Sequence, residues 1–138
     1  MRFMRNYILL FALIVAAFTS CDKNKEKNAF DAHYKGTFVR TTSTPSEDPV
    51  IANVTLDFTE TSFSGNSDVN DYPAICSGTF TISQTKINVA NKCYFTANFD
   101  WTLIFKGEYQ YEQNGEQLRI WRSYSNGTMD VYQLEKVN

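Results

Sequence analysis

A single histidine, His33, stands among the 138 residues of this chain. Without a second imidazole, and without a Gly-x-Ser-x-Gly motif, no Ser-His-Asp or Cys-His set can be assembled around a placed base. His33 itself precedes the first regular alternation and reads as a solvated linker residue. Proline is also scarce, with three residues. Pro45 and Pro49 punctuate one stretch, Ser43 to Pro49, which reads as a loop because proline cannot join a ladder. No segment carries the 3.6-residue periodicity of an amphipathic helix. The longest apolar run, Tyr7 to Phe18, is shorter than the roughly 20 residues that cross a bilayer. Neither sign of charge dominates, and a formal net charge of -2 argues against a nucleic-acid partner. Asp68-Val-Asn70-Asp71 gathers oxygens in a loop as calcium sites do. It lacks the glycine and distant glutamate of an EF-hand loop and reads as a solvated turn. No metal or cofactor is therefore expected. Asp57 with Asp100 is the one carboxylate pair to inspect for acid–base work, and the expectation is a protein that is not an enzyme.

What is present begins with an address. Arg2 and Arg5 precede the apolar run, and Thr19-Ser20-Cys21 follows it. This is the charged, apolar and small-residue order of a secretory signal. Phe18-Thr19-Ser20-Cys21 resembles the lipobox of bacterial lipoproteins, with Phe18 where that family prefers leucine. The resemblance implies removal of residues 1–20 and diacylation of Cys21, which anchors the chain to a membrane of a bacterial cell envelope, the outer membrane being the expected one. Asp22 to Asn28 has no apolar residue to bury. Residues 21–33 are thus read as the acylated cysteine and a flexible tether, and residues 34–138 as one domain.

Three cysteines leave an even pair once Cys21 is lipidated, and export places that pair where a disulfide persists. The stretch Cys76 to Cys93 reads as a β-hairpin folded about Gln84-Thr85. Ile82 then opposes Ile87, Phe80 opposes Val89, Gly78 opposes Asn91 and Cys76 opposes Cys93, all on one face. These are the closely spaced non-hydrogen-bonded positions, so Cys76 and Cys93 are expected to bridge.

The rest of the domain alternates as strand. Segments 34–42 and 51–59 come first, the second with Ala52, Val54, Leu56 and Phe58 on one face. A short strand follows around Ser62 to Gly65. After the hairpin, Phe95, Ala97, Phe99, Trp101, Leu103 and Phe105 predict one long strand of barrel wall. Segments 108–113, 117–124 and 128–135 follow, turned by Asn114-Gly115 and Asn126-Gly127. About eight antiparallel strands joined by tight turns predict an all-β up-and-down meander closed into a small barrel, which removes both sheet edges.

Gly36-Thr37-Phe38, the stretch from Phe63-Ser-Gly65 through Cys76-Ser-Gly-Thr-Phe80, and the tail Leu118 to Leu134 together resemble the lipocalin-like (calycin) domain of small bacterial lipoproteins over residues 34–136. Phe38 stands where lipocalins carry a plug tryptophan. The resemblance implies that Arg119 or Arg122 stacks on that ring, and that the barrel holds a small hydrophobic ligand at an open end.

Eleven Phe, eight Tyr and two Trp make the rings the functional question. Phe80, Phe95, Phe99, Trp101, Tyr109 and Tyr111 are the candidate lining of an apolar pocket. The alternative is that they fill a narrow barrel. Two functions follow. One is a membrane-anchored binder of a small hydrophobic molecule. The other is a protein-interaction or inhibitor module acting through its loops and outer surface, with Trp121 beside Tyr124 as its exposed patch.

Overall fold

The computed structural model describes residues 30–43 and 48–138. The signal segment, Cys21 and most of the tether lie outside the described residues. Within them the chain forms eight strands: β1 Ala32–Thr41, β2 Ile51–Thr59, β3 Ser62–Ser67, β4 Ser77–Ile82, β5 Lys86–Asn91, β6 Gly107–Asn114, β7 Gln117–Ser123 and β8 Met129–Val137. Each strand pairs antiparallel with its sequence neighbour, and β1 pairs with β8 to close the barrel.

Alternation decides what faces inward. In β2, Ala52, Val54, Leu56 and Phe58 are buried while Asn53, Thr55 and Asp57 take the outer face. The hairpin register is as expected: Gly78 opposes Asn91, Phe80 opposes Val89 and Ile82 opposes Ile87. Cys76 and Cys93 are bridged, with their Cα atoms 6.3 Å apart. Gly36 and Gly78 are required by close approach. A Cβ at Gly36 would lie 1.9 Å from the Gln133 carbonyl oxygen, and one at Gly78 would lie 2.0 Å from that of Ala90. Only glycine lets the backbones coil this tightly.

The connections segregate by length. The hairpins β2–β3, β4–β5 and β6–β7 turn within two or three residues, so they define a turn end. The β1–β2, β3–β4, β5–β6 and β7–β8 connections are longer and share the opposite, loop end. At the turn end the β6–β7 pairing runs out to Asn114 opposite Gln117. The turn is therefore Gly115-Glu116, one residue later than the Asn-Gly reading, with Gly115 at φ 60° as the first position of a type II′ turn demands.

Three expectations are corrected. The first is the lead-in. β1 starts at Ala32, and Phe30 is fully buried, with ring centroids 5.6 Å from Phe58 and 4.8 Å from Tyr111. Residues 30–33 thus belong to the barrel, and Phe30 closes its turn end. His33 is not a linker residue. It sits on the outer face of β1 opposite Asp57, and its Nδ1 is hydrogen-bonded to that carboxylate.

The second is the long strand over 95–105. β5 pairs directly with β6, Val89 against Gly107 and Ile87 against Tyr109, so no strand lies between them. The segment is instead a loop containing one 3-10 turn, Trp101–Leu103. Local polar chemistry outweighs the alternation. The Asp100 carboxylate accepts from the Thr102 amide at 2.9 Å and from the Thr102 hydroxyl at 2.6 Å, the competition with a ladder that Asp and Thr offer. The apolar residues still find burial, because Phe105 joins the ring core in the barrel mouth and Ile104 is covered beside Ala74.

The third is the Trp121–Tyr124 patch. Trp121 lies on the outer face under Arg119, whose guanidinium is 4.9 Å from its ring. Tyr124 turns inward and bonds Asp130.

Candidate functional site

The barrel interior is a graded stack of rings. Phe30, Phe58 and Phe80 occupy the turn end, with Phe58 and Phe80 5.0 Å apart. Phe38, Phe105, Tyr109 and Tyr132 fill the loop-end half, with centroid separations of 4.8 to 6.1 Å. Such edge-on and tilted contacts are how rings pack at interior density. Burial raises the Tyr109 and Tyr132 phenols well above their ordinary pKa.

Charge enters above these rings. Following the inward phase of β1 past Tyr34, Gly36 and Phe38 leads to Arg40. The same phase in β8 puts Asp130 beyond Tyr132. In the ladder Asp130 lies directly opposite Arg40 of β1 and Arg122 of β7, so three adjacent strands converge on one carboxylate. Asp130 is only 2 % exposed. Arg40 grips it with two bonds, Nε to Oδ1 at 2.6 Å and Nη2 to Oδ2 at 2.8 Å. The Tyr124 hydroxyl donates to Oδ2 at 2.7 Å, and Arg122 Nη2 stands 3.6 Å from the same oxygen. A buried carboxylate survives only with such charge-assisted, fully paired geometry. Burial lowers the Arg40 pKa, but bonding to Asp130 and that residue's charge outweigh it, so the guanidinium is held more firmly protonated than usual. Burial first, and bonding to Asp130 second, raise the Tyr124 phenol.

This network fastens the β5–β6 loop over the mouth. The Thr102 carbonyl accepts from Arg40 Nη2 at 3.2 Å and Arg122 Nη2 at 3.1 Å, and the Tyr124 hydroxyl, whose proton goes to Asp130, accepts from Arg122 Nη2 beside them. Arg40 Nη1 adds bonds to Asp100 at 2.9 Å and to the Thr102 hydroxyl at 2.8 Å, and Arg122 Nη1 donates to the Lys106 carbonyl at 2.9 Å. The hydroxyl of Thr102, ahead of its backbone amide and Arg40, holds the Asp100 carboxyl below the usual carboxylate range. Ala74 bridges to Ile104 alongside, so the β3–β4 loop braces the same lid.

The six candidate pocket residues do not form one site. Phe80 and Tyr109 are core residues at 2 % exposure. Tyr111 is half-buried against Phe30 and donates its hydroxyl to the Ser83 carbonyl at 3.2 Å. Phe95, Phe99 and Trp101 gather instead outside the barrel on the β5–β6 loop, with centroids 5.7 Å and 6.4 Å apart in sequence. Tyr94 beside them is fully exposed and Trp101 is 49 % exposed. Arg122 stacks over Tyr109 and Tyr124, and Arg119 over Trp121. Phe38 instead meets Tyr72 and Tyr132. Asp57 and Asp100 are not a pair, since one is bonded to His33 in the barrel wall and the other to Arg40 in the lid. The Asp68 carboxylate is committed to the Asn53 amide and side chain, both at 2.7 Å.

An open cleft of about 650 Å³ lies where β5 and β6 part company beyond Val89–Gly107, between the barrel wall and the lid. Asn91, Arg122 and Tyr124 line its floor, and Trp101 and Lys106 its rim, with Lys106 Nζ 5.5 Å from the Trp101 ring centre. Gly107, at φ 85°, makes the corner at which the chain leaves the lid for β6.

Compared with known protein families, curated proteins and solved structures, the chain matches none.

Proposed function

We propose that the protein is a non-catalytic interaction module of the bacterial cell envelope, tethered by an acyl group on Cys21, and that it binds its partner with the loop end of the barrel. The observation that carries this reading is where the exposed apolar side chains fall. Of the five large exposed ones among the described residues, Val50, Ile51, Tyr94 and Trp101 lie at the loop end, and Val137 alone lies at the other. Exposed aromatic surface held on a rigid scaffold is what recognition sites use. The opposite end is where the chain enters through Phe30, so a tether there directs the loops away from the membrane. A small hydrophobic ligand held inside the barrel is the less favoured reading, because Phe80, Tyr109 and their neighbours occupy that volume.

Photo-crosslinking tests the choice. A photoreactive residue at Tyr94, in the acylated protein in its own membrane, should give a discrete adduct that disappears with Trp101→Ala. The same residue at Gln117, at the turn end, should give none. Equal labelling at both ends would overturn the reading. So would saturable uptake of a fluorescent fatty-acid analogue abolished by Phe80→Asp in a variant that still folds, which would restore the hollow-barrel carrier.

A further inference from the structure

The cleft beside the lid carries more donors than it can satisfy. Arg122 Nε and Asn91 Nδ2 are both buried, and neither finds an acceptor among the described residues. The Asn91 orientation is fixed from its other side, since its Oδ1 accepts from the Cys93 amide at 2.8 Å. Both orphan atoms are N–H donors, and both belong to residues that line the one cleft. Buried donors are paired in the great majority of proteins, so two together call for an acceptor. Charge points the same way. Arg40 and Arg122 share two carboxylates, Asp100 and Asp130, and Lys106 in the cleft lining adds a third cation, which leaves one positive charge in excess. The excess sits in a chain whose formal net charge is -2. Asp130 is already gripped by Arg40 through two bonds, so Arg122 is the under-compensated cation. Above it, the half-exposed Trp101 ring and the Ile104 and Val89 side chains give the walls apolar surface.

We propose that this cleft receives an acidic peptide segment of the docking partner. In it a carboxylate reaches Arg122 Nε and Asn91 Nδ2 under the Lys106 ammonium, while a neighbouring apolar side chain lies on Trp101. The inference rests on the loop end being the docking surface and supplies the chemistry that the surface selects. A carboxylate fits where a neutral group does not, because it accepts from several N–H donors at once and cancels the local charge. The arginine that receives the peptide also holds the Thr102 and Lys106 carbonyls, so the ligand and the lid share one anchor.

The test uses an acetylated, amidated pentapeptide with glutamate between two phenylalanines, and the same peptide with glutamine in its place. Both are titrated into the isotopically labelled protein and followed by NMR. The glutamate peptide should shift the Arg122 Nε–H, the Asn91 side-chain amide and the Trp101 indole N–H saturably, leaving the Trp121 indole unmoved. The glutamine peptide should bind at least about tenfold more weakly, as loss of a charged hydrogen-bond partner implies. Lys106→Gln, an exposed substitution that leaves the lid bonds in place, should weaken the glutamate peptide about twofold to fivefold. Equal binding of the two peptides at Trp101 would overturn the acidic-peptide inference and leave the loop-end docking surface standing. No binding of either by a folded protein would overturn the inference too. The crosslink at Tyr94 then decides, separately, whether the loop end is a docking surface at all.

Discussion

The two ends of this barrel are closed by opposite chemistry. At the turn end a single ring, Phe30, is pushed among Phe58, Phe80 and Tyr111, and the hairpins there are as short as antiparallel strands allow. At the loop end the closure is a latch of charge. Asp130 aligns Arg40 and Tyr124, and Arg40 with Arg122 holds the Thr102 carbonyl of the lid. An apolar plug is indifferent to direction and needs only volume. A latch of buried charge is directional, so it fixes one lid position, and it is stable only while every member is present. The end built to be specific about geometry is also the end that displays aromatic side chains.

Deleting either closure should separate the two ends most strongly. Phe30→Ala is expected to cost about 3–5 kcal/mol, the usual range for a buried phenylalanine. Asp130→Ala is expected to cost a similar 3–5 kcal/mol, because two arginines would lose a buried counter-charge. Chemical denaturation measures both. Because the two residues share no partners, the double variant should be additive within about 0.5 kcal/mol. A larger coupling would mean that the ends are not independent. Only Asp130→Ala should loosen the lid, seen as faster hydrogen exchange at Leu103 and Phe105.

The disulfide separates them further. Cys76–Cys93 ties the start of the lid loop to the lead-in of β4 across a sequence separation of 17. Replacing both cysteines with serine should lower stability by about 3 kcal/mol in the chain-entropy description. It should also raise exchange across the lid while leaving the amides of β2 and β3 at the turn end protected. Uniform loss of protection would show that the bridge stabilises the whole barrel rather than the loop end.

How far the sequence foretold this depends on which force decides each element. The Cys76–Cys93 hairpin was legible because period-2 alternation, a two-residue turn and the cysteine pair all require one register. β2 was legible for the first of those reasons. The segment 95–105 was not, because an alternating row of rings is satisfied equally by a barrel wall or by a loop that tucks Phe105 in and stacks Phe95, Phe99 and Trp101 on one another. What chose between them was a bond between Asp100 and Thr102, two residues apart. Phe30 was missed because a polar run precedes it and no pattern announces a plug. Arg40 and Asp130 left a readable signal, charge in the inward phase of otherwise apolar strands. It asks to be read as a site only when the two strands are known to be neighbours, and that closure of β1 on β8 comes from the barrel as a whole.

Alkaline pH sharpens the contrast by a smaller amount. Burial raises Tyr109 and Tyr132 in the loop-end half, and burial with Asp130 raises Tyr124. A phenol whose folded pKa is raised stabilises the fold fully below the ordinary value of about 10, and that stability is lost as pH rises above it. Absorbance titration should therefore show these three tyrosines silent until the barrel opens. Tyr109→Phe should leave the alkaline midpoint unchanged or higher. A native titration of these three near the ordinary value would contradict the packed interior.

The smallest effect is at the lid's outer edge. Asp100 is half exposed at 51 % and bonds Arg40 Nη1 at 2.9 Å. Asp100→Asn keeps an oxygen for the Thr102 amide and removes the charge together with the Oδ2 acceptor of Arg40, so the loss should be about 0.2–1 kcal/mol, as for other solvent-screened pairs. The sign with pH follows from the lowered carboxyl. Its contribution is present above the ordinary carboxylate range, about pH 4, and disappears as pH falls through and below it. The variant should therefore differ from the parent at neutral pH and converge with it in acid. A difference that persists in acid would show that Asp100 acts through its shape and hydrogen bonds and not its charge, which would make the latch end at Asp130 and Arg40 rather than reach the lid surface.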